Sequence, residues 1–369
     1  MTGARLSIVV IGLSLSSSWG NGHATTYRSL LSAFARRGHE ILFLERDVPW
    51  YAAHRDLEPD FCRLEFYSDL ADLAGWRNEV ASADAVIVGS YVPDGVAVGH
   101  WARHEATGVL AFYDIDTPVT LGRLATGDAE YIAADQVRDY DLYLSFSGGH
   151  TLTLLEDRYG SPAARPLFCS VDSRRYVPRE APARWDLSYL GTYSADRQPT
   201  LERLLLEPAR RSPDLTFCVA GPQYPDDIAW PGNVERIDHV APPDHPAFYA
   251  ASRFTLNITR RDMIAAGHSP SVRLFEAAAC ATPIISDIWE GLDELFQPNR
   301  EILLTETADD VVGILRAGDD TGRRALGAAC RDRILAAHTA DHRAAELEAH
   351  LRDAIARLAT ERPVLTPTP

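Results

Sequence analysis

Short apolar runs alternate with amphipathic stretches along most of the chain. Leu6–Ile11 reads as a buried strand leading into a glycine loop, rather than as the core of a signal peptide. Across Thr25–Arg37 the apolar positions Tyr27, Leu30, Leu31 and Phe34 recur at helical spacing, and Gly38 supplies the stop. Strands follow at Ile41–Leu44, Ala85–Val88, Val109–Tyr113 and Asp141–Ser145, with a helical piece containing Ala and Trp before Val109 and a helix over Thr151–Tyr159. The segment Val171–Trp185 then breaks the pattern. It is charged and proline-rich, which is linker composition. The alternation restarts with strands at Leu187–Leu190, Thr216–Ala220, Val234–Ile237, Phe254–Ile258 and Pro283–Ser286. Helices are expected over Thr200–Leu206, Ser271–Ala279, Ala308–Leu315, Arg323–Ala337 and Asp341–Leu358, the last with Leu347, Leu351, Ile355 and Leu358 on one face. Such alternation predicts an α/β fold, with parallel sheets covered by helices. Two successive α/β domains are expected, over residues 1–175 and 176–340, then a helix over 341–360 and a disordered Pro/Thr tail over 361–369.

Composition narrows the functions open to this chain. Its 369 residues carry a net charge of −16, and both halves are acidic, which argues against a nucleic-acid partner. Every basic residue is Arg, so chemistry that depends on Lys is excluded. Cys62, Cys169, Cys218, Cys280 and Cys330 are isolated and odd in number, as expected of reduced thiols in a cytoplasmic protein without a zinc site. No apolar run approaches the ~20 residues of a membrane-spanning helix.

Four segments are candidates for chemistry. The loop with Gly20, Asn21, Gly22 and His23 joins the first strand to the first helix, where glycines admit a ligand to the backbone and the helix start attracts anions. It lacks the third glycine of a dinucleotide fingerprint, although Glu45 or Asp47 stands where a ribose-binding acid would. Asp114 and Asp116 follow a strand and could hold a divalent metal, or simply belong to a turn at Asp116-Thr117-Pro118. Gly191 to Arg197 repeats the glycine-turn theme with Arg197 placed for a phosphate, and Arg260 follows another strand end. The richest block runs from His268 to Ile285. Ser269 or Ser271 can cap its helix with Pro270 in the first turn, Arg273 adds a charge, and Glu276 lies on about the same face as Arg273.

Together these residues resemble the GT-B glycosyltransferases of the group 1, family 4-like type, in the branch named after spore-maturation proteins. The resemblance runs through Arg37-Gly38-His39-Glu40, Cys169 to Pro178, Gly191 to Arg197, Val219-Ala220-Gly221, Ser269 to Ile285, Leu295 to Leu303 and Ala337 to Arg343. It implies two facing Rossmann-like domains, the final helix returning to the first, and a nucleotide-diphospho-sugar donor held mainly by the second. It also implies retention at the anomeric carbon, no metal or other cofactor, and an unidentified acceptor entering near Gly20–His23 and Asp114–Asp116. Within the family's Glu-x7-Glu motif, Glu276 matches the second Glu, implied to bind the ribose, while His268 stands at the first, which touches the transferred sugar. Arg197 matches the Arg of the family's Arg/Lys phosphate pair; Arg273 or Arg260 would supply the other charge. Ala281 replaces the usual Gly. His268, Glu276 and Asp116 are the expected catalytic residues; Gly20, Asn21, Gly22, His23, Gly191, Arg197, Arg260, Ser269, Ser271 and Arg273, with Glu276, are expected at the donor. Alternatives are a metal-dependent GT-A transferase using Asp114 and Asp116, a nucleotide-sugar epimerase, and a catalytically degenerate nucleotide-sugar-binding protein.

Overall fold

The computed structural model describes residues 4–19, 22–317 and 319–361; Gly20, Asn21 and most of the Pro/Thr tail lie outside the described residues. The chain forms two units, one of residues 1–168 with 341–369, the other of residues 169–340.

Unit 1 is built on seven parallel strands: β1 Ser7–Gly12, β2 Glu40–Arg46, β3 Arg63–Tyr67, β4 Ala85–Gly89, β5 Val109–Asp114, β6 Leu142–Ser145 and β7 Ala164–Pro166, in the order β3-β2-β1-β4-β5-β6-β7. The central strands are near-continuous apolar runs because helices cover both faces, and β4 and β5 are buried at every residue. Val9, Ile11, Val86, Val88, Leu110 and Phe112 meet in one core. The edge strands β3 and β7 were not expected: their few apolar positions leave no buried run to read. A helix at Thr117–Thr126 replaces the expected turn, with Pro118 in its first turn, where a missing N–H costs nothing. The helix Ala340–Glu361 belongs to unit 1. Asp341 pairs with Arg36 and Glu348 with Arg37, while Leu347 and Leu351 are buried.

Unit 2 is built on six parallel strands: β8 Trp185–Leu190, β9 Phe217–Ala220, β10 Val234–Ile237, β11 Ser252–Asn257, β12 Ile284–Ser286 and β13 Leu303–Leu304, in the order β10-β9-β8-β11-β12-β13. The residues expected to form a linker are partly structural. Val171 bridges to Thr339, and Tyr176 is buried. Strand order reverses between β1 and β4 in unit 1 and between β8 and β11 in unit 2. In open parallel sheets, ligands bind outside the strand C-termini at such a switch point.

Candidate functional site

In unit 2 the helix Val272–Ala279 starts one residue later than expected. Ser271 is its N-cap residue, but its hydroxyl donates to Asn257 Oδ1 at 2.8 Å rather than capping the helix, so Pro270 stays outside. Ser269, two residues earlier, is fully buried. From this helix Arg273 crosses the switch point. Its Nε donates to the Leu190 carbonyl at the end of β8 at 2.5 Å, and its Nη1 to Asn257 Oδ1 at the end of β11 at 3.1 Å. The guanidinium lies 4.7 Å from the Tyr189 ring centroid. Arg273 is therefore a strut across the switch point as well as a buried positive charge. It explains Gly191, where a Cβ would stand 2.6 Å from Arg273 Nη2.

The loop after β8 is tied to the element after β11 through one carboxylate. Asp196 accepts from Ser194 Oγ and from the Arg261 N–H at 3.0 Å, and its Oδ2 lies 3.9 Å from Arg260 Nε. Burial pushes the Asp196 carboxyl up, but these donors and the charge of Arg260 outweigh it and hold it below the ordinary range. Arg197 donates from Nη2 to the Thr192 carbonyl at 2.7 Å, while its buried Nε lacks a protein acceptor. Arg197, Arg260 and Arg273 thus all stand on elements that follow or cross the switch strands.

Glu276 is more deeply engaged than a solvent-facing ribose ligand would be. It is 4% exposed. Its Oε1 accepts from Tyr176 OH at 2.9 Å, its Oε2 from Tyr249 OH at 3.3 Å, and His245 Nδ1 lies 3.4 Å from Oε2. Burial opposes the charge on Glu276, yet His245 and the two phenols hold its carboxyl below the ordinary value. Burial likewise opposes a charged His245, and Glu276 more than compensates, raising it. His245, Tyr249 and Asn257 were not among the expected site residues, and Tyr176 was marked only within the Cys169 to Pro178 segment of the resemblance. Of the other three, only Asn257, at a strand end, offered a local signal.

His268 sits in left-handed backbone, φ 44°, directly after Gly267 at φ 64°. Its N–H donates to the Glu290 carbonyl at 2.7 Å, and its Nε2 lies 3.1 Å from Glu294 Oε1.

In unit 1, Gly22 precedes the helix His23–Arg36 that follows β1. His23 packs edge-on against Tyr91, and burial lowers its imidazole to about 4, so it is neutral near pH 7. Tyr91 donates to Asp116 at 3.0 Å. Asp114 is fully buried and accepts from Tyr143 OH at 2.6 Å and Thr120 Oγ1 at 2.9 Å. Burial raises it to about 6 despite those bonds. A carboxylate so committed has no geometry for chelation beside Asp116, and no group of three potential ligands stands together among the described residues. Glu45 is taken up by the β1 loop, accepting from the Leu15 and Ser16 N–H groups and the Ser14 and Ser16 hydroxyls. Asp47 pairs with Arg55. Glu45 therefore has little left for a dinucleotide ribose.

Residues 197–349 match a family model described as "Glycosyl transferase-like". No match to a curated protein was found. Among solved structures the chain is similar to a sucrose-phosphate synthase from Thermosynechococcus elongatus, at 16% identity and TM-score 0.69, over 96% of this chain and 100% of that one. It is similar to Anabaena HepE in complex with UDP and glucose, at 12% identity and TM-score 0.69, over 95% and 100%. An α-glucosyltransferase in complex with UDP-glucose and DNA containing an abasic site matches at 12% identity and TM-score 0.72, over 95% and 100%. The fold is GT-B, which sets aside the GT-A alternative, and the segment 197–349 within it is glycosyl transferase-like. Among the described residues no helix is long and apolar enough to cross a membrane.

Proposed function

We propose that this chain transfers a sugar from a uridine diphosphate sugar to an acceptor, with unit 2 holding the donor. The observation that carries this reading is positional: the matched segment includes Arg197, Arg260 and Arg273, which gather at the unit 2 switch point. Preorganised positive charge there would stabilise the diphosphate as it leaves. The unpartnered Nε–H of Arg197 is a donor such an anion would satisfy. Uridine is the base because HepE and the α-glucosyltransferase bind UDP or UDP-glucose. In this reading Glu276 serves the ribose with the lone pairs that Tyr176 and Tyr249 leave open, and His268 serves the sugar side. The acceptor enters unit 1 near Gly22, His23 and Asp116, at the ends of β1 and β5. A net charge of −16 argues that it is not a nucleic acid, unlike the DNA bound by the α-glucosyltransferase. Retention, metal-independent transfer, a cytoplasmic location and membership of the spore-maturation branch complete the proposal.

Thermal denaturation with UDP, GDP and TDP tests it. UDP at 100 times its dissociation constant should stabilise the protein by ~2.7 kcal/mol, and the other two by less. Sugar release from the matching UDP-sugar should survive EDTA. Loss with EDTA and recovery with manganese would reverse the metal-independent reading. UDP binding with no turnover on any acceptor would favour a degenerate binding protein.

A further inference from the structure

The connections that follow β11 and β12 meet around one histidine, His268, which lies just after the short helix Arg261–Ala266. Gly267 and His268 are consecutive residues of positive φ, a backbone uncommon and strained for any residue but glycine. The strain is locked in from the facing loop by the Glu290 carbonyl, which accepts the His268 N–H. Gly291, at φ 90°, makes room for the ring: a Cβ there would stand 2.5 Å from His268 Cδ2.

The ring is oriented for one purpose. Its Nδ1 is buried without a partner, while Nε2 lies 3.1 Å from Glu294 Oε1. A buried lone pair left unmade costs less than a buried N–H left unmade, so the hydrogen belongs on Nε2, donated to Glu294. Glu294 itself is solvent-facing, its side chain 71% exposed. A strained, half-buried histidine thus holds a carboxylate that faces solvent.

We propose that Glu294, positioned by His268, binds hydroxyls of the transferred sugar. The inference rests on the donor reading above. A carboxylate only accepts hydrogen bonds, and its two oxygens suit the paired O–H donors of a pyranose. It would repel a phosphate, so it belongs at the sugar rather than the diphosphate. Its carrier, the short helix Leu292–Leu295, follows β12, the neighbour of switch strand β11. His268 is the positioning residue and Glu294 the contact.

Isothermal titration of the full chain with UDP and with UDP-glucose, UDP-galactose and UDP-N-acetylglucosamine tests the assignment. Glu294→Ala removes an exposed side chain and should leave the fold intact. For the best-bound UDP-sugar, Glu294→Ala and His268→Leu should each weaken affinity about tenfold or more, with UDP changed less than about twofold. His268→Gln, which still offers an N–H at that reach, should recover most of the loss. Equal weakening of UDP and UDP-sugar, or no weakening of either, overturns the assignment while leaving the donor reading standing. Failure of the unmodified chain to bind UDP removes both.

Discussion

Glu276 shows how much one buried carboxylate can organise. Tyr176, Tyr249 and His245 all direct polar hydrogens or charge at it, from a segment before β8 and a helix before β11. Removing one member of such a group leaves the others buried and unsatisfied, which costs about 3–5 kcal/mol. Glu276→Ala should therefore lower urea stability by about that amount, so any change in UDP affinity must be read from the milder Glu276→Gln. The pH dependence has a defined sign. Glu276 is held below its ordinary value of 4.5, so its contribution is present above that value and is lost as pH falls through the folded one. His245 is held above its ordinary 6.5, so its contribution is full below that value and is lost as pH rises through the folded one. Urea midpoints for His245→Gln should differ most from the unsubstituted chain between these two ordinary values. A gap that widens into alkali would show that the pair is not ionised as described.

At the scale of elements, two tight turns are held differently. Gly221 closes β9 at φ 141°, where a Cβ would stand 2.1 Å from the Gly191 carbonyl oxygen, so glycine is required. Ala281, just after the helix Val272–Ala279, occupies φ 55° with a side chain that this conformation disfavours. Its carbonyl is packed against Gly327 of the helix Asp320–Ala337, which explains why the turn keeps its shape despite the strain. Ala281→Gly should relieve left-handed strain worth ~1–2 kcal/mol, less some entropy gained by the unfolded chain, for a net gain of about 0.5–1 kcal/mol. A higher urea midpoint with an unchanged m-value is the expected record. A lower midpoint would mean that the Ala281 methyl contributes packing that outweighs its backbone cost.

For the whole molecule, the last helix decides the integrity of unit 1. Besides the Arg36–Asp341 and Arg37–Glu348 pairs, Glu348 meets His39, and Arg352 donates to the Ala4 carbonyl at 2.6 Å. Ala344, Leu347, Leu351 and Ala354 are buried along one side. A chain ending at Ala340 should lose that apolar cover, worth roughly 1.5–3 kcal/mol for each large side chain. Calorimetry should show a low-temperature transition from unit 1, separate from that of unit 2. A single unshifted transition would show that the helix is dispensable.

Hydrophobic periodicity was sufficient for the α/β class, the two-fold repetition of the pattern and the long final helix, because strands buried on both faces and one-sided helices carry their burial in the order of residues. The edge strands β3, β7 and β13 were illegible for the converse reason: hydrogen bonding to a neighbour, rather than apolar content, makes them strands. Glycine positions and the Ser269–Ile285 block pointed to the strand ends that matter, since turn chemistry is local. Which side chains meet there was decided only by folding. Tyr176 and Glu276 stand a hundred residues apart in the chain and 2.9 Å apart in space. Arg273, apparently available for a phosphate, is partly spent on Leu190 and Asn257. Glu294 reaches His268 from the helix Leu292–Leu295, a single turn too short to show a period of its own. Local spacing determines what a segment can become; the partners of a charge depend on distances that only the folded chain creates.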